Sequence, residues 1–279
     1  MIEFRSVDKA FPGGTRAVDD LDLVIRPREI TVLVGSSGCG KTTILRMINR
    51  MVEPTSGTVS IDGTDVATRS PVPLRRSIGY VMQSAGLLPH RRVLDNVTTV
   101  LRLTGTPRAA ASARGLELMD TVGLDRTLAG RYPAQLSGGQ QQRVGVARAL
   151  ATDPNILLMD EPFAAVDPIV RTELQDELLR LQSTLAKTIV LVTHDIDEAF
   201  RLGDHVVILA DGGRIVQQGS PADLLAEPAD DFVASFIGAD RGRRALRIEH
   251  RGGRRLVVDA EGRPAGVLDD GAVQDGGAG

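Results

Sequence analysis

The sequence predicts an α/β fold: a mainly parallel sheet, an N-terminal antiparallel β subdomain and an inserted α-helical subdomain. Three observations carry that prediction. Short, β-branched apolar runs alternate with helical stretches from Ile30 onward and again after Pro154. A glycine-rich loop joins the first of those runs to a helix. Between residues 92 and 150 the two-residue alternation of strands disappears and amphipathic helical segments take its place.

In chain order, Ile2 to Val7 and Asp20 to Ile25 read as two short strands joined by the turn-rich Phe11-Pro12-Gly13-Gly14, which gives the β subdomain. Ile30 to Val34 is a strand feeding the loop Gly35 to Gly40 and then a helix over Lys41 to Met51. Gly57 to Asp62 and Ile78 to Met82 are further strands, and the helical subdomain is expected over about 86–153. Strands resume as Ile156 to Met159, Thr188 to Thr193 and His205 to Ala210, with a helix over Pro168 to Leu185 and a short one after His194. Asp211-Gly212-Gly213-Arg214 predicts a hairpin into Ile215 to Gln217, and two short helices end near Gly238. Residues 239–279 form a polar tail rich in Gly, Arg and Asp, set apart from a domain spanning 1–238.

Composition narrows the classes. A hydrophobic fraction of 42% and a charged fraction of 25% are those of a globular chain that buries a substantial core. The longest apolar stretches, such as Ile156 to Met159 and Val206 to Ala210, are strand-length and far below the ~18 residues of a spanning helix. Ile2 to Arg5 has no basic cap leading into an apolar run, so no secretory signal is expected. A single cysteine, Cys39, excludes an intramolecular disulfide and a multi-cysteine metal site. The net charge of −3 gives no global reason to expect a nucleic-acid partner. Only Lys9, Lys41 and Lys187 are lysines among 33 basic residues, so the place where a lysine is kept is informative.

One of those lysines closes Gly35-Ser36-Ser37-Gly38-Cys39-Gly40-Lys41-Thr42, a G-x-x-x-x-G-K-[ST] loop with a strand before it and a helix after it. This is the phosphate-binding loop of a P-loop NTPase core. Its glycines let backbone N–H groups converge on phosphates, and the helix N-terminus adds a favourable dipole. Lys41 would reach the β- and γ-phosphates of ATP, Thr42 would ligate Mg²⁺, and Thr43 belongs to the same first turn. Cys39, near the helix N-terminus, reads as a small residue at a permissive position, with the dipole favouring an activated thiol.

The run Ile156-Leu157-Leu158-Met159-Asp160-Glu161 delivers two adjacent carboxylates to the C-terminal edge of a buried strand, where open α/β sheets bind ligands. Asp160 would hold Mg²⁺, directly or through water. Glu161 would orient and polarise an attacking water as general base.

Leu136-Ser137-Gly138-Gly139-Gln140, followed by Gln141-Gln142-Arg143, is where the sequence resembles the ABC transporter ATPases, and the resemblance spans residues 1 to about 238. Physically, Ser137 and Gln140 form a capping box that opens a helix and leaves N–H groups and a hydroxyl facing outward. By resemblance, Phe11 is the aromatic that stacks on adenine and Gln83 the Q-loop glutamine, placed at both the metal and the reacting water. Asp167 is the D-loop aspartate, and His194 the switch histidine that bonds the γ-phosphate. Arg28, where the family often has glycine, and Ala164-Ala165-Val166 in the D-loop depart from the pattern without removing a catalytic group.

The resemblance implies a head-to-tail homodimer in which Ser137, Gly138, Gly139 and Gln140 of a second copy close over ATP–Mg²⁺ held by the first. It also implies transmembrane permease subunits docked near Ser84 to Val93, with Leu87, Leu88 and Pro89 as apolar anchors or as buried linker. An extracytoplasmic substrate-binding protein follows indirectly, and the chain would sit on the cytoplasmic face of the membrane. Met47-Ile48-Asn49-Arg50, Glu53-Pro54, Leu88-Pro89-His90, Asp160-Glu161-Pro162-Phe163-Ala164-Ala165-Val166-Asp167-Pro168 and Phe236-Ile237-Gly238-Ala239-Asp240-Arg241 look like the ATPases of glycine betaine, choline and carnitine uptake, with an amino-acid or oxyanion importer as the alternative. In that subfamily a regulatory CBS module follows the ATPase. Leu256-Val257-Val258-Asp259 with Gly266-Val267-Leu268 looks like a remnant of one hairpin in a tail too short and polar for the module, and the arginines at 241, 243, 244, 247, 251, 254 and 255 read as a solvated cluster. A non-transport ABC ATPase would show fused units, a long coiled coil or zinc-ligand cysteines, and a nucleotide sensor would lack Glu161 or His194.

Overall fold

The computed structural model describes residues 1–164, 166–238, 247–251, 254–258 and 264–267. The chain divides into two compact units, Met1–Pro221 and Ala222–Gly279.

The first unit begins with strands β1 (Ile2–Ala10), β2 (Arg16–Ile25) and β3 (Ile30–Gly35), then helix α1 (Lys41–Ile48). There follow β4 (Ser56–Ile61), β5 (Thr64–Asp65), α2 (Pro71–Arg76) and β6 (Ile78–Val81). The middle of the chain is helical: α3 (Val93–Val97), α4 (Thr99–Leu103), α5 (Arg108–Thr121) and α6 (Gly138–Leu150), with two 3₁₀ turns before α6. The chain returns to alternation with β7 (Ile156–Asp160), α7 (Pro168–Leu185), β8 (Thr188–Thr193), α8 (Ile196–Leu202), β9 (His205–Ala210) and β10 (Arg214–Gly219). After α9 (Pro221–Ala226) come α10 (Asp231–Ile237) and the short strands β11 (Arg247–Arg251), β12 (Arg254–Val258) and β13 (Pro264–Val267).

Two sheets organise the first unit. A four-stranded antiparallel sheet runs β2-β1-β4-β5, and a six-stranded sheet runs β10-β9-β3-β8-β7-β6. All pairings of the larger sheet are parallel except the β9–β10 hairpin at its edge. Every residue of β3, β7 and β8 is buried, as expected of parallel strands covered on both faces. One apolar cluster draws together Phe4, Leu21 and Leu23 from the antiparallel sheet, Ile44, Leu45 and Ile48 from α1, and Leu158, Val190 and Leu209 from the parallel sheet. Each such side chain contributes roughly 1.5–3 kcal/mol by leaving water, so α1 is held from both sides. Among the described residues, no helix is long and apolar enough to cross a membrane.

Of the element boundaries that differ from the sequence reading, two have a plain local cause. The first helix stops at Ile48, short of Met51, because the Asn49 side chain accepts from Met51 N–H (3.0 Å) and Arg50 turns to φ +56. The second strand begins at Arg16, not Asp20. Asp20 at φ +47 interrupts the alternation, and Asp8 bridges the irregularity by accepting from Arg16 (2.6 Å), Asp20 N–H (3.1 Å) and Ser56 (2.7 Å). Those bonds, Ser56 first and then Arg16, hold the Asp8 carboxyl at about 2.

In the second unit, Asp230 caps α10 by accepting from Val233 N–H (2.8 Å), and Gly238 ends it in the left-handed conformation. β11, β12 and β13 form an antiparallel meander in which Leu256 stands opposite Val267 and Val257 opposite Gly266. The sequence reading anticipates the pairing of β12 with β13 but not the strand Arg247–Arg251. The arginines at 241, 243 and 244, with Asp259 and Leu268 of the hairpin expectation, lie outside the described residues.

Candidate active site

β3 ends at Gly35, and the chain turns through exposed Ser36, Ser37 and Gly38, then buried Cys39, into α1. Gly40 is the N-cap at φ 109, a left-handed position where a Cβ would lie 2.3 Å from the Ala17 carbonyl oxygen. Gly40 puts no side-chain cap on α1, so the first turn of the helix presents backbone N–H groups of the kind that meet an anion. Lys41 is buried and donates to the carbonyls of Gly35 (2.8 Å) and Ser36 (2.7 Å). The turn is thereby cinched around its own ammonium group. Burial pushes the Cys39 thiol up, against the lowering exerted by Lys41, so the activated thiol suggested by its place in the sequence is not borne out.

The parallel register then brings the carboxylates to this loop. β3 and β7 both pair with β8, so Gly35 and Asp160 finish at the same edge of the sheet. Thr42 Oγ1 donates to Asp160 Oδ1 at 2.8 Å, and the other oxygen, Oδ2, accepts from Tyr80 (3.0 Å) and Arg46 (3.3 Å). Tyr80 lies opposite Leu158, two residues before Asp160, so both project on one face of the sheet. Burial is the largest cause raising the Tyr80 hydroxyl to about 12, so it stays a donor at any ordinary pH.

Glu161 leaves the strand at φ +46, left-handed for a non-glycine residue, while its N–H donates to Val192 (3.0 Å). That turn aims its carboxylate along the sheet edge. Glu161 Oε2 is 3.4 Å from Gln83 Nε2 and 3.4 Å from His194 Nδ1. His194 is fixed between the end of β8 and the cap of α8, where Asp195 donates its N–H to Thr193 (3.0 Å) and accepts from Asp197 N–H (2.9 Å). Glu161 also lines, with Ala17, Ser37, Gly38, Gly40, Lys41, Thr42 and Thr43, a cavity of about 190 Å³ over the loop. A larger open groove of about 840 Å³, bordered by Arg5, Asp22, Arg26 and His205, holds none of these groups.

Thr42 and Asp160 together offer an oxygen pair suited to Mg²⁺. Hydroxyl and carboxylate oxygens are what this ion takes, and the 2.8 Å between them is close to the ~2.9 Å edge of an octahedron with ~2.05 Å metal–oxygen distances. Among the described residues, no group of three or more His, Cys, Asp or Glu side chains forms a cage of its own. Mg²⁺ is characteristically shared between one or two such side chains and substrate phosphates, so the residues fit it.

Other expected site residues stand elsewhere. Phe11 is 37% exposed just after β1, with the Lys9 ammonium 5.0 Å from its ring centroid. Ser137 and Gln140 close the expected capping box, Gln140 N–H donating to Ser137 Oγ (3.2 Å) and Ser137 N–H to Gln140 Oε1 (3.0 Å). Ser137 and Gly138 are exposed and Gly139 is buried, where a Cβ would overlap Val170 of α7. Asp167 caps α7 by accepting from Val170 N–H (3.1 Å). None of these residues lines the loop cavity. Ala165 lies outside the described residues. Leu87 and Leu88 are half-buried and Pro89 is exposed.

The sequence reading missed three groups. Arg46 and Tyr80 sit on Asp160, and buried Glu198, which lines a small cavity with His194, accepts from Gln175 Nε2 (3.0 Å). Burial raises the Glu198 carboxyl. Arg46 is five residues beyond Lys41 and Tyr80 three before Gln83, but nothing in their spacing announces that they meet.

Comparison with known proteins gives a consistent picture. The ABC transporter family model matches residues 18–164. The choline transport ATP-binding protein OpuBA of Bacillus subtilis (strain 168) is 49% identical over 241 residues, 86% of this chain and 63% of that protein. The glycine betaine uptake system ATP-binding protein YehX of Escherichia coli (strain K12) is 51% identical over 249 residues, 89% of this chain and 80% of that one. The chain thus spans a little under two thirds of the Bacillus relative's length. Among solved structures, the ATP-binding cassette MJ0796, a dimer in a post-hydrolysis state bound to ADP and Pi, matches at TM-score 0.71 and 33% identity over 79% of this chain and 99% of that one. CbiO1 of Clostridium perfringens, part of the transporter complex cbiONQ, matches at TM-score 0.74 and 29% identity over 81% and 90%.

Proposed function

The chain belongs to the ABC transporter family, and from that premise we propose that it binds and hydrolyses ATP to energise an importer of glycine betaine, choline or carnitine. The observation that carries the reading is the convergence of Gln83 and His194, each at 3.4 Å, on Glu161, whose carboxylate borders the same cavity as Lys41 and Thr42.

In this reading Lys41 exchanges its loop carbonyls for β- and γ-phosphate oxygens, and the uncapped first turn of α1 supplies N–H donors to the same group. Glu161 takes the proton of the attacking water. Gln83 and His194 keep its carboxylate aimed at the γ-phosphorus, and His194 also bonds the γ-phosphate. Thr42 and Asp160, with Gln83, would hold Mg²⁺, which when bound neutralises charge on the β- and γ-oxygens. Phe11 carries the adenine by stacking.

A second copy, docked head to tail, completes the site with Ser137, Gly138, Gly139 and Gln140, whose exposed helix start offers the γ-phosphate a hydroxyl and N–H groups. Closure is the power stroke, and loss of the γ-phosphate reopens the pair. Permease subunits dock near Ser84 to Val93 on the cytoplasmic face of the membrane, and an extracytoplasmic binding protein delivers the solute. Likeness to the OpuBA and YehX proteins supports the choice of solute.

Glu161→Gln tests the reading. Under saturating ATP and Mg²⁺ the variant is expected to elute as a nucleotide-loaded dimer in light scattering, and recovery of nucleotide-free or ADP-bound monomers alone would count against it. Uptake of labelled glycine betaine, choline and carnitine into cells lacking the gene should return with the wild-type chain and not with Glu161→Gln. Restored uptake of only an amino acid or an oxyanion would reject the solute.

A further inference from the structure

Arg148 occupies the last turn of α6, the helix that Ser137 opens. Its guanidinium donates to two successive backbone carbonyls, Nη2 to Ala85 at 2.6 Å and Nη1 to Gly86 at 2.7 Å. These are short, charge-assisted bonds in a fork that only arginine provides. Burial is the cause lowering the guanidinium from its usual value, and among the described residues no carboxylate offsets it. A half-buried cation spent on two carbonyls gives up part of its hydration, a cost that is offset when those carbonyls must be held.

The carbonyls belong to an awkward turn. Ala85 is buried at φ +55 and Gly86 follows at φ +54, where a Cβ would lie 1.8 Å from Met82 Cε. Gly145, almost one helical turn before Arg148, comes against Ala85, its ideal Cβ position 3.5 Å from the alanine's Cβ. α6 therefore seats the turn with a flat patch and clamps it with a fork. Gln83, two residues before Ala85, is exposed, and among the described residues its amide is oriented by the 3.4 Å contact with Glu161.

We infer that Arg148 is a positioning residue for hydrolysis: by fastening Ala85 and Gly86 to the end of α6 it sets where Gln83 stands against Glu161. A shift of α6, whose other end carries Ser137, is then transmitted to Gln83 within the same chain. The inference rests on the proposed role of Gln83 and adds the part that fixes it.

A double-mutant cycle on the full chain tests it, using Arg148→Lys, which keeps the charge but loses the fork, in the wild-type and Gln83→Ala backgrounds. Arg148→Lys is expected to lower kcat by roughly 10- to 100-fold, the cost of misplacing a group by about an ångström. The affinity for ATP, measured with a fluorescent analogue, should change by less than about twofold, because Lys41 and Thr42 are untouched. In the Gln83→Ala background the further loss should be under about twofold. Amide exchange across 83–88 should quicken while that of α6 does not. Equal losses in both backgrounds, or an unchanged kcat, overturn the inference. If Gln83→Ala alone leaves kcat intact, the role of Gln83 fails and the inference with it; additive losses beside an impaired Gln83→Ala overturn the positioning alone. Should Arg148→Lys fail to melt cooperatively, Arg148→Gln, with one donor arm and no charge, is carried through the same cycle.

Discussion

Replacing Glu161 by glycine should make the protein more stable and nearly inactive. Glu161 sits at φ +46, where an L side chain costs roughly 1–2 kcal/mol relative to glycine. Glycine gives back about 0.5–1 kcal/mol through the greater freedom of its unfolded chain. The carboxylate's approaches to Gln83 and His194, both at 3.4 Å and to side chains that are themselves exposed, are too long for their removal to weigh much. Taken at the middle of these ranges, the net gain is about 0.5 to 1 kcal/mol. Over a unit of the size of Met1–Pro221 that corresponds to a melting temperature higher by about 1–4 °C, since each kcal/mol moves it ~2–4 °C. The kcat should fall by about 10²- to 10⁴-fold, the worth of a general base. Ala186, exposed at φ +47 at the end of α7, is the control, and Ala186→Gly should gain the same few degrees with kcat unchanged. Calorimetry and steady-state hydrolysis read both outcomes. If Ala186→Gly rises while Glu161→Gly melts at or below the wild type, the idea that the protein accepts backbone strain to aim this carboxylate is refuted.

Two further predictions rest on single side chains. Glu198→Gln should raise the melting temperature at pH 8 and lose that advantage toward pH 5. The carboxyl is raised by burial, so its neutral form suits the fold, and the stability of the wild type falls as pH climbs from the ordinary carboxylate range through the raised value. A gap between the two proteins that is constant with pH would show that Glu198 keeps an unshifted carboxyl. Ser137→Ala removes the cap bond to Gln140 N–H and should cost about 1 kcal/mol, or about 2–4 °C in thermal melting of the nucleotide-free chain, and an unchanged midpoint would mean that the α6 cap is energetically idle.

What the sequence made legible was whatever its residues settle among near neighbours. The phosphate loop needs glycines, one lysine and a helix start within eight positions, and the structure places Lys41, Thr42 and the Gly40 cap together as that spacing demands. The capping box at Ser137 and Gln140 is equally local. Gln83, Glu161 and His194 are a harder case, because no spacing connects them. They meet only through the parallel order β6-β7-β8, which carries the ends of three distant strands to one edge. Here the reading drew on a resemblance, and the register supplies its physical reason. Arg148, Arg46 and Tyr80 were invisible for a different cause. In a chain that uses arginine for nearly all of its 33 basic residues, an arginine at a given position marks nothing by itself, whereas each of three lysines does. Tyr80 is a strand residue like any other until its neighbour strand is known. A residue that acts on another through its backbone, as Arg148 does on Ala85 and Gly86, leaves no side-chain partner to find in the sequence at all. Such groups are betrayed only by their cost, a half-buried cation with no carboxylate among the described residues to pair it or a left-handed turn without a glycine. In this chain one of each meets at the Ala85 turn, where Arg148 holds a left-handed alanine, and Glu161, the group that the proposed function needs aimed, sits at a second left-handed position.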